Sequence, residues 1–262
     1  MDLDWESGLD PHRPNSARMY NFFIGGKDWY PADVAAAQRV LKLTPDTPKH
    51  SRENRYFLRR VVTHLSQVLG VTQFLDIGAG LPTHGNVHEI APTARVVYVD
   101  NDPVVIATAR ALMAETDKVR IVHGDVRRPE QILSDPTVRT FLDWDAPMAL
   151  LMVGLLHFVT DDEGAYGAVA TFRDALPIGS YLALSHGWTD GFREDLVRDV
   201  GQVYSSLSFQ LRTHAQVASF FDGFDLVEPG LVHIPDWHPD GISEGLAPES
   251  VGMGGGVGRV RR

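Results

Sequence analysis

The sequence predicts an α/β protein with a mostly parallel sheet and helices on both of its faces. Three observations carry this reading. From residue 72 onward, short apolar runs ("QFLDI", "RVVYVD", "VRIVH", "MALLMV", "SYLALSH") alternate with segments of helical spacing. Helix-start residues stand between the runs: Asp102 before Pro103, and Thr160 with Glu163 three residues on. Such alternation demands crossover connections, and crossovers belong to parallel strands.

The elements follow in order. Residues 1–16 are rich in Asp, Pro and Ser and read as irregular. Pro31 opens a helix with Asp33 in its first turn and Val34, Ala37, Val40 and Leu41 on one face. "SRENRYFLRRVVTHLSQVLG" is a second helix, with Ser51 as its N-cap and Gly70 as its stop. The first strand, "QFLDI", comes next, then a helical segment near residues 85–91. "RVVYVD" is the second strand, and Asp102 caps "VVIATARALMAE" after it. "VRIVHGD" is the third strand and "MALLMV" the fourth. Thr160 and Glu163 form a capping box for "DDEGAYGAVATFRDAL". "SYLALSH" is the fifth strand, and "REDLVRDVGQVYSSL" is helical. Thr213 caps "HAQVASFF", which Gly223 ends. "FDLVEPGLVHIP" reads as an antiparallel hairpin across a Pro-Gly turn.

Three stretches result: a helical and aromatic extension at 1–70, the sheet domain at 71–240, and a Gly-rich tail at 241–262, whose segment "GMGGGVGRVRR" is expected to be a flexible end or else a flap at the active site. The bulk numbers narrow the function. Of 262 residues 44% are hydrophobic, enough for a sizeable core, and the net charge of -10 argues against nucleic acid as a partner. There is no cysteine, which excludes disulfides, thiolate metal sites and a thiol nucleophile. The N-terminus is acidic and polar, unlike a secretory signal, and the longest apolar stretch, residues 148–159, is too short to cross a membrane. A cytoplasmic protein is the expectation.

Ligands on parallel sheets sit beyond the carboxyl ends of the strands. Those tips hold "DIGAG", in which Gly78 and Gly80 allow close backbone approach, then Asp100, and then Asp125 with Val126. Asp100 suits the two hydroxyls of a ribose. Asp125 suits an adenine amino group, and the Val126 N–H suits a ring nitrogen. The tips describe an adenosine pocket. NAD needs a third glycine where Thr83 stands, so the fingerprint is broken. S-adenosylmethionine carries no phosphate and fits the pattern better, with Asp76 near its amino group.

At these positions "DIGAG", "VYVDNDP", "GDVR" and "LLHFVTDDE" resemble class I S-adenosylmethionine-dependent methyltransferases. "RMYNFFIGGKDWYPAD", "GLPTHGNVHEIAP" and "FDLVEPGLVHIPDW" resemble, within that class, the bacterial S-adenosyl methyltransferase family, formerly a domain of unknown function. The resemblance spans about residues 15–240. It implies a Rossmann-like fold with a seven-stranded, mostly parallel sheet whose last strand is antiparallel. It further implies Asp76, Gly78, Ala79 and Gly80 at the methionine end of the cofactor and Asp100 at the ribose. Asn101 then neighbours the adenine, Asp125 and Val126 contact its edge, and Val153 lies beneath the cofactor. The acceptor expected is a small molecule. A cofactor-binding sensor without methyl transfer is the alternative, and an NAD-dependent oxidoreductase a more distant one.

For the acceptor side, Tyr20, Phe22, Phe23, Trp29 and Tyr30 surround "IGGKD". They form either a lid with aromatic faces near the sulfonium or a hydrophobic plug under a helix. Arg18 is either a carboxylate ligand or a surface charge, and Lys27 sits within the same segment. His84, His88, His157 and His186 lie near the expected mouth, with His157 and His186 as candidate general bases. His84 and His88 share a helix face but lack a third ligand, so no metal is expected. Asp161, Asp162 and Glu163 are explained by the helix dipole.

Overall fold

The five apolar runs become five parallel strands. The computed structural model describes residues 10–82, 85–113, 116–245 and 252–261. In it β1 (Gln73–Ile77), β2 (Arg95–Asp100), β3 (Val119–His123), β4 (Ala149–Val153) and β5 (Tyr181–Gly187) pair in the order β3-β2-β1-β4-β5. β1 lies between β2 and β4, with Asp76 opposite Tyr98 on one side and Leu151 on the other. The chain leaves β1 toward β3 and then returns past it to β4. The switch point therefore falls at the carboxyl end of β1, where "DIGAG" begins.

Alternate residues of β1 feed opposite cores, as a two-residue period requires. Leu75 and Ile77 join Val97, Leu150 and Phe172 on one face. Phe74 joins Phe57, Val61 and Leu151 on the other. All five β1 residues are buried, as expected of a central parallel strand. Each large apolar side chain sealed in this way contributes about 1.5–3 kcal/mol relative to exposure.

Helices α1 (Ser16–Phe23), α2 (Pro31–Leu43) and α3 (Thr47–Thr63) precede the sheet. The Asn15 side chain caps α1 by accepting from the Ala17 and Arg18 N–H groups. Pro31 opens α2 as expected, and Asp33 closes a capping box there with Tyr30. α3 starts four residues earlier than expected. Pro48 and the Thr44–Thr47 hydroxyl pair at 2.8 Å set its first turn, so Ser51 is a buried residue inside the helix rather than its cap. A π-helical turn at His64–Val68 continues it, and Gly70, at φ 70°, ends the run.

Between the strands lie α4 (Val87–Ile90), α5 (Pro103–Leu112), α6 (Pro129–Ser134), α7 (Pro136–Phe141), α8 (Ala165–Ala175), α9 (Glu194–Val203) and α10 (His214–Ala218). The Asp102 carboxylate caps α5 by accepting from the Val104 N–H at 2.6 Å. The Thr160–Glu163 box forms, but it closes a turn. α8 begins only at Ala165, behind Gly164 at φ 85°.

The C-terminal part departs from expectation. β6 (Phe224–Leu226) and β7 (Val232–His233) do not form a hairpin with each other. Both pair antiparallel with β8 (Met253–Val260), which is the Gly-rich tail. β8 also runs antiparallel along the whole of β5, from Tyr181 opposite Arg259 to Gly187 opposite Met253. Among the described residues the sheet therefore has eight strands, in the path β3-β2-β1-β4-β5-β8-β6 with β7 beside β8. The antiparallel strand is the tail, and the expected flexible end is in fact an inner strand. Its glycines are there for space. A Cβ on Gly254 would lie 2.1 Å from the Trp188 ring, and one on Gly255 would lie 2.7 Å from Phe57. Aromatic rings on the two faces supply the bulk that the strand lacks.

Among the described residues, no helix is long and apolar enough to cross a membrane. No cluster of three or more His, Cys, Asp or Glu among them could hold a metal ion.

Candidate functional site

A cleft of about 340 Å³ opens at the carboxyl ends of β1 to β4. All nine residues expected around the cofactor line it. Asp76 lies near the end of β1 and Gly78, Ala79 and Gly80 follow it, Asp100 ends β2 with Asn101 after it, Asp125 and Val126 follow β3, and Val153 ends β4. Gly78, at φ 72°, turns the chain away from the sheet, and a Cβ there would meet Leu155 at 2.5 Å. The left-handed backbone there favours glycine, and any other residue would also have to displace the Leu155 side chain.

The two acids at the centre are buried, each only 7% exposed. Asp100 Oδ2 accepts from the Gly80 N–H at 2.9 Å, and Oδ1 accepts from the Asp102 N–H at 2.9 Å. The carboxylate thus ties the glycine turn to the start of α5. Burial pushes Asp76 up to about 7, with Arg55 opposing the rise and Asp100 adding to it. Burial likewise pushes Asp100 up to about 6 against its backbone hydrogen bonds. Two buried carboxylates whose pKa values stay raised despite Arg55 make a receptive place for a cationic or hydroxyl-bearing ligand.

Asp125 is arranged differently from expectation. Its two oxygens receive the Arg127 guanidinium, Nε at 2.9 and 3.0 Å and Nη2 at 2.7 Å. Burial raises its pKa, but the Arg127 hydrogen bonds outweigh that and hold it below the usual range. Arg127 Nη1 continues to Glu163 at 3.0 Å, and Glu163 accepts from the Ser208 hydroxyl at 2.7 Å. Ser206, Leu207 and Ser208 are thereby fastened over this end of the cleft, which they line.

The N-terminal segment closes the other side. Tyr20 and Asn21 of α1, with Asn54 and Arg55 of α3, line the cleft. Tyr20 Oη donates to the Ser51 carbonyl at 2.7 Å and accepts from Asn54 Nδ2 at 3.3 Å. The Ser185 hydroxyl donates to Asn54 Oδ1 at 2.6 Å and accepts from the Gly154 N–H at 2.9 Å. A buried polar chain thus runs from α1 through α3 to the tips of β4 and β5. Asn54 and Arg55 were not anticipated, because they sit mid-helix, far in sequence from any glycine motif.

Several acceptor-side expectations need correction. Arg18 is 4% exposed and bonded within the protein: Nε to Asp33 at 2.7 Å, Nη2 to the Arg13 carbonyl at 2.8 Å, with Asp102 at 3.8 Å. It anchors α1 to α2 and is neither a surface charge nor an open carboxylate ligand. Lys27 is exposed and lines neither the cleft nor the pocket beside it. Of the aromatic cluster, only Tyr20 lines the cleft. Phe23 packs with Met19, Ala36, Ala37 and Val40 and also lines the pocket beside the cleft, and Phe22 meets Trp29 edge-on at 5.9 Å.

His186 is fully buried, with Nδ1 bonded to the Gly187 carbonyl at 2.5 Å and Nε2 at 2.8 Å from Arg212. Burial holds it well below its ordinary pKa, and both nitrogens are occupied away from the cleft. His157 instead lines a second pocket that adjoins the cleft. His88 Nδ1 is 2.8 Å from Tyr98 Oη, away from the mouth. His84 and Thr83 lie outside the described residues.

A family model described as S-adenosyl methyltransferase matches residues 4–261. The chain belongs to the S-adenosyl methyltransferase family. It is an S-adenosylmethionine-dependent methyltransferase. The methyltransferase is 42% identical to a DUF574 family protein of known structure from Streptomyces avermitilis, at a TM-score of 0.90 over 96% of this chain and 99% of that one. It is 37% identical to a putative methyltransferase from Thermobifida fusca, at a TM-score of 0.89 over 100% of both chains. The N-methyltransferase NodS from Bradyrhizobium japonicum, solved with S-adenosyl-L-homocysteine, shares the fold at a TM-score of 0.53 and 13% identity over 87% of this chain and 99% of that one. Among curated proteins none matches the methyltransferase by sequence.

Proposed function

We propose that the cleft holds S-adenosylmethionine and that the methyl group passes to a small molecule in the pocket beside it. Asp76 and the glycine turn take the methionine end, Asp100 the ribose, and Asn101, Asp125 and Val126 the adenine side. Bound there, S-adenosylmethionine supplies an electrophilic methyl group on a sulfonium. The chain's own residues do the rest. Buried Asp76 and Asp100 ionise readily once a cation or ribose hydroxyls face them. Val153 floors the cleft. The 1–70 extension serves as a lid, with α1 placing Tyr20 over the ligand. The lid aligns the two reactants and excludes water, and alignment supplies much of the rate in such transfers.

The observation that carries this reading is the convergence of four strand tips and α1 on one cleft that continues into a second pocket. Ser16, Tyr20, Gly154 and Phe158 line both. The net charge of -10 also favours a small acceptor over nucleic acid. Calorimetric titration with S-adenosylhomocysteine tests it. Saturable one-to-one binding at micromolar concentrations supports the reading, and no binding up to about 1 mM, equivalent to about -4 kcal/mol, overturns it.

A further inference from the structure

The second pocket holds about 180 Å³, and its chemistry differs sharply from the cleft. Its walls are Phe23 and Val40 on one side and Leu196, Val197 and Val200 of α9 on the other. Trp188, Phe192, Phe209 and Met253 complete it. Among the described residues no Asp, Glu, Lys or Arg lines it, in a chain that is 22% charged. Its polar groups are hydroxyls, backbone, the Trp188 indole N–H and two imidazoles, one of them His157.

Three independent features point to a ligand. First, α9 carries an apolar stripe at Leu196, Val197 and Val200, yet none of its residues is fully buried. The stripe faces the pocket: Val200 packs against the cluster of Met19, Phe23 and Val40, and all three side chains stay only partly buried. Second, His157 lines the pocket, and its Nδ1 is buried without a hydrogen-bond partner, which costs about 1–3 kcal/mol. Third, the Tyr204 and Phe209 rings stack at 4.3 Å and 18° beside His157. That gives one wall a flat aromatic surface.

We infer that this pocket takes a neutral, single-ring aromatic hydroxyl compound as the methyl acceptor, with His157 receiving the hydroxyl proton. The inference rests on the cofactor reading above and adds the acceptor class to it. The size follows from volume: an apolar cavity of about 150 Å³ holds benzene, so this one holds one ring with small substituents. The neutrality follows from the lining, since a carboxylate or ammonium would be desolvated with no countercharge to meet it. The hydroxyl follows from His157, whose pKa burial and Arg212 push down to about 4. Its imidazole is neutral and can accept a hydrogen bond.

In the transfer, the acceptor oxygen attacks the methyl carbon. The C–O bond forms as the S–C bond breaks, and the sulfur keeps the bonding pair as neutral S-adenosylhomocysteine. The oxygen becomes positively charged while still carrying its proton. That oxonium is far more acidic than an imidazolium, so even a weakly basic His157 accepts the proton and later releases it to solvent. The products are an aryl methyl ether, S-adenosylhomocysteine and one proton.

The test is calorimetric titration of three probes of one size into protein saturated with S-adenosylhomocysteine: 4-ethylphenol, 4-hydroxybenzoate and tyramine. The expected result is that 4-ethylphenol binds at least tenfold more tightly than either charged probe. Val200→Trp fills the pocket, and the expected result is loss of 4-ethylphenol binding by more than tenfold with S-adenosylhomocysteine affinity within twofold of wild type. His157→Gln is expected to bind 4-ethylphenol with little change but to form 4-ethylanisole from S-adenosylmethionine at least a hundredfold more slowly. Equal binding of all three probes, or indifference to Val200→Trp, overturns the inference while S-adenosylhomocysteine binding stands. Failure of S-adenosylhomocysteine itself to bind overturns the cofactor reading, and this inference with it.

Discussion

The Ser185 hydroxyl lies 2.6 Å from Asn54 Oδ1, joining the tip of β5 to the middle of α3. From Asn54 the connection continues to Tyr20, so the position of α1 over the cleft is set by a buried polar chain as well as by packing. Asn54→Ala leaves the Ser185 hydroxyl short of its acceptor and is expected to cost about 1–3 kcal/mol. Urea denaturation of Asn54→Ala, Ser185→Ala and the double variant measures it. The two single costs are expected to exceed the double cost by at least about 0.5 kcal/mol. Additive effects would mean that the chain does not act as a unit.

Arg18 and Asp33 form a buried pair at 2.7 Å, and Arg18 also approaches Asp102 beside the cleft. Removing one partner of such a pair strands the other, at about 3–5 kcal/mol. Arg18→Ala is expected to lower stability by that order and to loosen α1. The expected readout is enhanced proteolysis within residues 10–30 and weaker S-adenosylhomocysteine binding. Loss of acceptor binding with an unchanged proteolysis pattern would return Arg18 to the role of an acceptor ligand.

The pKa values of Asp76 and Asp100 are raised in the fold to about 7 and about 6 from ordinary values of 3.8. Between pH 4 and 7 the folded protein therefore holds more protons than the unfolded chain. Its stability is greatest at the acidic end of that window and falls as pH rises through 6 and 7, as far as these two groups decide it. A cationic ligand favours their ionised forms, so binding S-adenosylmethionine at pH 6 is expected to release protons. Calorimetry at pH 6 in buffers of different ionisation enthalpy reads this directly. A binding enthalpy independent of buffer would show that neither acid changes protonation on binding.

Gly254 lies under the Trp188 ring in an inner strand. Gly254→Ala places a methyl group 2.1 Å from that ring. It is expected to destabilise by about 1–3 kcal/mol through overpacking, seen as a lowered thermal midpoint. Gly201→Ala in α9, where a Cβ meets nothing within 4 Å, serves as the control and is expected to be neutral or slightly stabilising. Equal effects of the two substitutions would contradict the packing account of β8.

The parallel strands were legible because buried central strands read as short apolar runs, and their tips followed from the switch-point rule. β8 was hidden for a physical reason. Its bulk comes from Trp188 and Phe57, residues of other elements, so "MGGGVGRV" shows neither apolar alternation nor a β-branched run. The hairpin reading failed for the same reason, since β6 and β7 find their partner in a strand some twenty residues further on. At the site, the acids and glycines at the strand tips announce themselves by type and spacing. Asn54 and Arg55 do not, because a polar residue inside an amphipathic helix looks like its solvent face. Nor did Arg127, whose grip on Asp125 depends on a local turn that no motif marks. His186 looked available in sequence but is sealed by Arg212, a residue 26 positions away.

The most direct measurement is a crystal structure of the protein with S-adenosylhomocysteine bound. The account predicts the ribose hydroxyls within hydrogen-bond distance of Asp100, the adenine beside Val126, and the sulfur directed past Gly154 toward the pocket that holds His157. A ligand bound elsewhere, or one whose sulfur faces away from that pocket, would contradict it.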